Sequence, residues 1–397
     1  MKKRPLFLQF GAGNIGRSLV GAVFSRAGYD VTFADTSDVL VDALRERGEY
    51  KVVVKGDLPP GRADEILVKP VTAFNSGSDP AALEKAVQRA DLIGTSVGAS
   101  GIPHVIRAIA PLLAKRERPV SILLCENLHG VDKIARRLLE ELLPPGFPIA
   151  GRIGLVSTSI GKMVPLMPAH VRERDPLEVW GEAYDTIIAD RNAFVGPVPE
   201  IEGLELRGNF AAYVDRKLYI HNLGHAVCAC LGAQRGYMYI CDAIEDPVIF
   251  KTTRDAMMST AFALMKRYPG EFTEESQTEY VEDLLRRFRN RALGDTVFRV
   301  GRDLKRKLAD GDRFIGGLRL VKEAGGDTRP ICQGIAAALR FNAADDRGKP
   351  YPTDGDVLNR VRAIGPTLFL REYCKLDPTE FRPELREVDT AYRAVQA

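Results

Sequence analysis

Two segments of this chain combine residue types and spacings that can do chemistry, and the first lies near the N-terminus. The pattern Gly11-x-Gly13-x-x-Gly16 follows an apolar run, Leu6–Phe10, and opens a helical pattern. In a strand–turn–helix unit, glycines at this spacing allow a tight turn, a close approach of the backbone to a pyrophosphate, and close packing of the helix on the strand. Amides at the start of the helix then face the phosphates. We therefore predict a dinucleotide site whose turn consists of Gly11, Ala12, Gly13, Asn14, Ile15 and Gly16.

The acidic residue that such a site requires is also in register. A second apolar run ends at Asp35, 19 residues after Gly16, where a carboxylate accepts hydrogen bonds from ribose hydroxyls. Its negative charge would repel a 2′-phosphate, which favours NAD over NADP. Thr95, Val97 and Gly98 end a further apolar run, where a doubly wound sheet meets its cofactor, and we predict that they also contact NAD. A purely structural turn with an incidental acid does not account for all these features together.

The second segment, from Lys217 to His225, contains an amine, two imidazoles and an amide. At about 100° per residue on an α-helix, His221 lies about 40°, His225 about 80° and Asn222 about 140° from Lys217. Oxidation of a secondary alcohol requires a base for the hydroxyl proton and donors that steady the reacting oxygen. This segment offers both. On these residues alone, a solvated polar helix face is an equal alternative.

A further amide, Asn127, comes just after the apolar run Ser121–Cys125. Ligands of open α/β sheets bind outside the carboxyl ends of the strands, so this side chain is placed to donate an N–H to a reacting oxygen. A turn residue or helix cap before Gly130 explains the same asparagine equally well.

Short apolar runs alternate with helical patterns in the first half of the chain, which predicts an α/β fold with a Rossmann-type doubly wound sheet. Strands are predicted at Leu6–Phe10, Val31–Ala34, Asp91–Ser96, Ser121–Cys125 and Ile153–Ser157, with Leu177–Tyr184 pairing at the sheet edge. Helices are predicted at Asn14–Ala27, Asp38–Arg47, Ile102–Leu113 and Val131–Leu142. The Pro/Gly-rich stretch 194–206 is interpreted as a connector, and a mostly α-helical pattern follows it. We predict an NAD-binding domain over 1–196 and a helical substrate domain over 197–397.

Composition excludes several other classes of protein. The 397 residues carry a formal net charge of only +3, and 45% of them are hydrophobic, as in ordinary globular proteins. We therefore expect neither a nucleic-acid nor a membrane partner. The six cysteines are scattered without a CxxC pair, which is typical of reduced thiols in a cytoplasmic protein. No spacing predicts a metal site, and the choice between monomer and dimer stays open.

Several motifs together resemble the polyol-specific long-chain dehydrogenases. They are FGAGNIGR at 10–17, CEN at 125–127, K-x4-N-x2-H at 217–225, DPLEV at 175–179, LxxGDR at 308–313 and QGIAAA at 333–338. The resemblance runs over nearly the whole chain. It implies a metal-independent, NAD-dependent enzyme whose Rossmann domain binds the cofactor and whose helical domain completes the substrate site. It also implies that Lys217 is the general base, that Asn127 and Asn222 hydrogen-bond the reacting oxygen, and that His225 positions the substrate.

The same resemblance implies an activity, with mannitol 1-phosphate and fructose 6-phosphate as the expected pair of substrates. A basic stretch, 286–313, holds ten Lys and Arg against four Asp, and Arg299, Arg302 and Arg313 are the candidate phosphate ligands. For each of them, a solvated basic face is the favoured alternative. One motif departs from the family, because Gly161 and Lys162 stand where it carries an Asp and an Arg. This departure leaves open an unphosphorylated polyol or a hexuronate as substrate, or a catalytically weak NAD-binding regulator.

Overall fold

A computed structural model describes residues 4–56, 58, 64–128, 130–165, 167 and 169–394. The chain forms two compact units, Met1–Phe210 and Ala211–Ala397. The stretch that the sequence suggests as a connector contributes a strand, Leu204–Arg207, to the sheet of the first unit.

Parallel strands dominate the first unit. Within the described residues the strands are β1 (Leu6–Phe10), β2 (Asp30–Asp35), β3 (Tyr50–Val54), β4 (Glu65–Val68), β5 (Val71–Asn75), β6 (Leu92–Thr95), β7 (Val120–Leu124), β8 (Ile153–Ile160), β9 (Val179–Gly181), β10 (Ile187–Asp190) and β11 (Leu204–Arg207). The main sheet has the order β11-β10-β8-β7-β6-β1-β2-β5. In this order, every pair of neighbouring strands between β8 and β5 is parallel, whereas β10 runs antiparallel to β8. The strand order reverses between β1 and β6, and a doubly wound sheet binds its ligand at such a point.

The predicted edge pairing of Leu177–Tyr184 is wrong. Within this segment only Val179–Gly181 forms a strand, and it pairs with β3 in a separate three-stranded sheet of order β4-β3-β9. The edges of the main sheet are β5 and β11, which sequence patterns did not reveal. Strands of three to five residues carry too little alternation to specify a partner, so tertiary packing decides their pairing.

Helices cover both faces of the main sheet. They are a helix that begins at Asn14, is π-helical over Gly16–Gly21 and continues into α1 (Ala22–Arg26), followed by α2 (Asp38–Arg47), α3 (Pro80–Arg89), α4 (Ile102–Ala114), α5 (Val131–Leu142), α6 (Ile149–Arg152) and α7 (Ala169–Arg174). The first unit has two hydrophobic core clusters, and neighbouring residues of β1 contribute to different ones: Phe7 packs in one cluster and Leu8 in the other. A sheet buried on both faces explains why its central strands are continuous apolar runs.

The second unit is helical. Its helices are α8 (Phe210–Arg216), α9 (Leu223–Gln234), α10 (Ile240–Ala243), α11 (Pro247–Arg267), α12 (Glu274–Phe288), α13 (Val297–Gly301), α14 (Leu304–Lys307), α15 (Arg313–Glu323), α16 (Arg329–Ala338), α17 (Asp354–Glu372) and α18 (Arg382–Ala394). A π-helical stretch, Lys217–Asn222, joins α8 to α9 without a break. Helix α9 is buried and packs against α11 and α16. A Cβ on Gly224 would lie 2.4 Å from Met257 Sδ, so the missing side chain lets Met257 of α11 pack directly against α9. No helix in the described part of the chain is long and apolar enough to cross a membrane.

Candidate active site

The glycine turn after β1 has the geometry that the sequence predicts. Gly11 has φ +89°, a conformation that L side chains rarely adopt. A Cβ on Gly16 would lie 2.1 Å from the carbonyl oxygen of Gly11 and 2.8 Å from Ser96 Oγ. Gly16 therefore allows the helix to pack directly against the turn and against the end of β6.

Gly13 differs from Gly11 and Gly16 because its missing side chain leaves open space. No described atom lies within 4 Å of the position that its Cβ would occupy, and the residue is exposed. A phosphate group can approach the backbone at such a position, and a side chain would fill it. The helix that begins at Asn14 directs free amides toward the same place. These residues therefore fit the pyrophosphate of NAD.

Asp35 ends β2 beside this turn. Its Oδ2 accepts a hydrogen bond of 2.6 Å from the Ala12 amide, and its Oδ1 accepts one of 2.9 Å from the Ser37 amide. A carboxylate has further lone pairs, so these bonds orient Asp35 and leave capacity for ribose hydroxyls. The Ala12 carbonyl accepts from Nε of the buried Arg17 at 2.7 Å, so both backbone polar groups of Ala12 are bonded to side chains. The sequence did not predict this role of Arg17, although a charged residue on an otherwise apolar helix face could have indicated it.

The end of β6 is held by the buried carboxylate of Glu126, a role that no sequence pattern indicated. Thr95 Oγ1 donates to Glu126 Oε2 at 2.8 Å, and the Val97 amide donates to Glu126 Oε1 at 2.9 Å. Burial raises the pKa of Glu126 to about 6. Thr95 is fully buried. Gly98, three residues further on, has φ +75° and turns the chain. The next residue after Glu126, Asn127, has an exposed side chain.

In the second unit, Lys217 and Asn222 lie on a π-helix, so the α-helical angles expected from the sequence are wrong. A π-helix bonds residue i to residue i+5, which places Lys217 and Asn222 one turn apart rather than about 140° apart. Such widened stretches are rare, and they are frequent at functional sites. This π-helical stretch packs closely against α15, since a Cβ on Gly316 of α15 would lie 2.8 Å from the Tyr219 ring.

Lys217 is half-buried, and its pKa is lowered to about 8 by burial and by the nearby charge of Arg313. Arg313 precedes Gly316 by one helical turn of α15 and therefore lies on the face that packs against the π-helix. Its Nε donates to Asp312 Oδ1 at 2.8 Å. An amine with a lowered pKa can act as a general base near neutral pH.

His225 follows on the same helix and contacts a carboxylate. Its Nε2 lies 3.1 Å from Asp295 Oδ2, and its ring stacks on Phe288 with centroids 4.5 Å apart. Burial lowers the pKa of His225, and it lowers the pKa of the neighbouring His221 further. Burial alone would raise the pKa of Asp295, but His225 and Arg299 outweigh it and the pKa is lowered. Asp295 was missed because seventy residues separate it from His225.

The three candidate phosphate ligands differ in their partners. Arg299 Nε donates to Asp295 Oδ1 at 2.6 Å, and Arg313 pairs with Asp312. Among the described residues Arg302 has no carboxylate partner, and its guanidinium lies 5.5 Å from the Phe298 ring and 5.6 Å from the Tyr351 ring. No group of three or more His, Cys, Asp or Glu in the described part of the chain could hold a metal ion.

Comparison with known families decides the assignment. Residues 6–203 match the model of the mannitol dehydrogenase Rossmann domain, and residues 209–368 match that of the mannitol dehydrogenase C-terminal domain. The chain belongs to the mannitol dehydrogenase family. It is 33% identical over 379 residues to mannitol-1-phosphate 5-dehydrogenase of Bacillus licheniformis, with 93% of this chain and 95% of that protein covered. This membership confirms the predicted family and an enzyme of the dehydrogenase class.

Two solved structures have the fold of this mannitol dehydrogenase family member. D-sorbitol dehydrogenase in its substrate-free form superimposes with a TM-score of 0.80 at 17% identity, covering 99% of this chain and 93% of that one. Mannitol 2-dehydrogenase of Pseudomonas fluorescens, in a ternary complex with NAD and D-mannitol, superimposes with a TM-score of 0.75 at 15% identity. That match covers 100% of this chain and 92% of the other. The predicted fold class is therefore confirmed.

The buried histidines of this family member make its stability sensitive to acid. Because the folded-state pKa of His221 and His225 lies below 6.5, the unfolded chain binds protons that the folded chain does not. We expect the free energy of unfolding to fall as the pH drops below 6.5, by up to about 1.4 kcal/mol per pH unit for each histidine. Urea unfolding between pH 7 and pH 5 measures this slope. His221→Leu should reduce it, whereas the exposed His104→Gln should leave it unchanged; equal slopes in all three proteins would refute the assignment.

Proposed function

We propose that this member of the mannitol dehydrogenase family is NAD-dependent and interconverts mannitol 1-phosphate and fructose 6-phosphate. The observation that carries the chemistry is a half-buried lysine with a lowered pKa, one π-turn from an amide and close in sequence to a buried imidazole. The curated relative of 33% identity is a mannitol-1-phosphate 5-dehydrogenase, which supports this pair of substrates.

In the direction of alcohol oxidation, the neutral amine of Lys217 takes the proton of the reacting hydroxyl. NAD, which the turn after β1 and Asp35 would hold, would supply the acceptor for the hydride that leaves the carbon bearing this hydroxyl. Asn222 and Asn127 donate amide N–H groups to the reacting oxygen and stabilise its negative charge. His225, held by Asp295 and Phe288, orients the substrate. In the reverse direction the Lys217 ammonium returns the proton to the carbonyl oxygen.

The turn after β1 supports NAD as the cofactor. Gly13 leaves the space that a pyrophosphate needs, and Asp35 presents a carboxylate, fixed by the Ala12 and Ser37 amides, where the ribose hydroxyls belong. The same negative charge disfavours the 2′-phosphate of NADP. The six cysteines are free and buried, as expected for reduced thiols, and we propose a cytoplasmic location on this ground.

Arg302 is the strongest of the three phosphate candidates. Asp295 and Asp312 already neutralise Arg299 and Arg313, whereas no described carboxylate pairs with Arg302. An arginine stacked beside aromatic rings keeps its forked donors available for a phosphate. We therefore assign Arg302 to the phosphate end of the substrate, and Arg313 to the electrostatic environment of Lys217.

A panel of keto-sugars tests the proposed substrate. With NADH as reductant, we expect kcat/KM for fructose 6-phosphate to exceed that for fructose or fructuronate by at least about 100-fold, because a charge-assisted contact to phosphate contributes about 3 kcal/mol. Arg302→Gln should remove most of this advantage.

Arg340 offers a matched control for that variant, since its guanidinium also stacks on a ring, 4.1 Å from Tyr392. Arg340→Gln should leave the preference intact. An equal kcat/KM for phosphorylated and unphosphorylated sugars would exclude a sugar phosphate as the specific substrate.

The departure from the family motif at Gly161 and Lys162 keeps an unphosphorylated polyol or hexuronate as a second candidate. In this chain Lys162 is buried, and its Nζ donates to the carbonyl oxygens of Glu182 and Tyr184 at 2.7 Å each. This lysine thus holds the segment after β9, where the family resemblance suggests an arginine. Gly161 brings no carboxylate to the neighbouring position. The same keto-sugar panel distinguishes this candidate from the phosphorylated one.

A further inference from the structure

Glu126 is a buried carboxylate at the carboxyl ends of two adjacent strands. It follows β7 by one residue, and its two oxygens reach across to the end of β6. One oxygen accepts from the Thr95 hydroxyl at 2.8 Å and the other from the Val97 amide at 2.9 Å. Its side chain is only 7% exposed. Both of its oxygens are therefore used to bind one neighbouring segment.

The segment that Glu126 binds also contacts the glycine turn. Gln9 Nε2 donates to Ser96 Oγ at 2.9 Å, and Ser96 lies against Gly11 and Gly16. Residues 95–97 are thus fixed to the pyrophosphate turn on one side and to Glu126 on the other. On the far side of Glu126, the next residue along the chain is Asn127, the proposed donor to the reacting oxygen.

Burial of this carboxylate is unfavourable for stability. Its pKa is raised to about 6 by burial, in spite of the two hydrogen bonds, so the ionised form destabilises the folded protein above that pH. A glutamine of nearly the same shape would avoid the unfavourable burial of charge. Groups that are retained against stability are frequent at functional sites.

We propose that Glu126 is a positioning residue that couples the cofactor turn to the substrate-oxygen donor, by fixing residues 95–97 and Asn127 relative to each other. This inference rests on the proposed function, because it takes NAD and a reacting alcohol oxygen as the ligands of the two segments. It assigns no contact between Glu126 and either ligand.

Removal of the carboxylate should damage both segments at once. Glu126→Ala should lower kcat for fructose 6-phosphate reduction about 10- to 100-fold, because small displacements of a catalytic group are costly. It should also raise the Kd for NADH, measured by fluorescence, about 3- to 10-fold through loss of the bonds to residues 95–97. Asn127→Ala should lower kcat alone. In the double variant, Glu126→Ala should lower kcat no further, since the donor that Glu126 positions is absent.

Conservative variants separate positioning from stability. Glu126→Gln can still accept from Val97 and bond to Thr95, so it should restore kcat and the Kd for NADH to within about threefold of the wild type, and it should unfold at the same or a higher temperature at pH 8. If Glu126→Ala does not fold, Thr95→Val takes its place, because it removes only one of the two bonds. Thr95→Val should raise the Kd for NADH and lower kcat, each by a smaller factor.

Ser121 provides a matched control at the opposite end of β7. Its hydroxyl donates to the Val195 carbonyl at 3.0 Å and accepts from the Val195 amide at 2.9 Å. Ser121→Ala should lower the unfolding temperature and leave kcat and the Kd for NADH unchanged. The proposal is overturned if Glu126→Ala behaves in the same way, or if its effect on kcat adds fully to that of Asn127→Ala. A wild type that reduces no sugar would contradict the proposed function, whereas a Kd for NADH that Glu126→Ala leaves unchanged would overturn this inference by itself.

Discussion

Replacement of Lys217 by methionine is expected to lower kcat about 1000-fold or more and to leave the Kd for NADH within about twofold. The methionine keeps the apolar stem and removes the amine, so the loss measures proton transfer rather than packing. Because burial and Arg313 lower the pKa of Lys217 to about 8, the charged amine is disfavoured in the folded state. The variant should therefore be at least as stable as the wild type at pH 7.

The pH profile of the wild type provides the second measurement on Lys217. Alcohol oxidation requires the neutral amine, so its kcat should rise with pH through an apparent pKa near 8. Sugar reduction requires the ammonium and should fall over the same range. A methionine variant that keeps a tenth of the wild-type kcat, or profiles without a transition in this range, would exclude Lys217 as the base.

Replacement of Gly16 by alanine is expected to destabilise the first unit by about 3 kcal/mol, because the added Cβ would lie 2.1 Å from a backbone oxygen of Gly11. The helix and the turn cannot move apart without breaking their contacts to Ser96. Thermal and urea unfolding of the whole chain measure this loss.

Gly13→Ala is the matched control for that variant, and it should have the opposite signature. Its Cβ meets no described atom, so the free energy of unfolding should change by no more than about 0.5 kcal/mol. The Kd for NADH should rise about tenfold or more, because the methyl group occupies the place of the pyrophosphate. Loss of stability in Gly13→Ala, without a change in NADH binding, would refute the assignment of the turn.

Much of the fold was predictable where local chemistry and burial agree. The bounds of β1, α2 and α5 are those that the sequence predicts. Strand β1 is a continuous apolar run, α2 ends at a left-handed glycine, and α11 begins with an aspartate cap and a proline. The short strands β3, β4 and β5 were missed, since their pairing depends on partners distant in sequence.

The candidate site was predictable in its residue types and less so in its geometry. Periodicity arguments assume an α-helix, whereas Lys217–Asn222 is π-helical. It packs against α15, a contact that no local pattern encodes. For the same reason Glu126 and Asp295 escaped notice, because their partners lie on other elements.

Transfer of deuterium from NADH to the sugar tests the central claim most directly. NADH labelled at the transferable position is incubated with fructose 6-phosphate and the wild-type protein, and the product is analysed by mass spectrometry and NMR. We predict mannitol 1-phosphate with one deuterium on the carbon that was the keto carbon, and no label in solvent. Absence of a labelled polyol phosphate, or label at any other carbon, would contradict direct hydride transfer to this substrate.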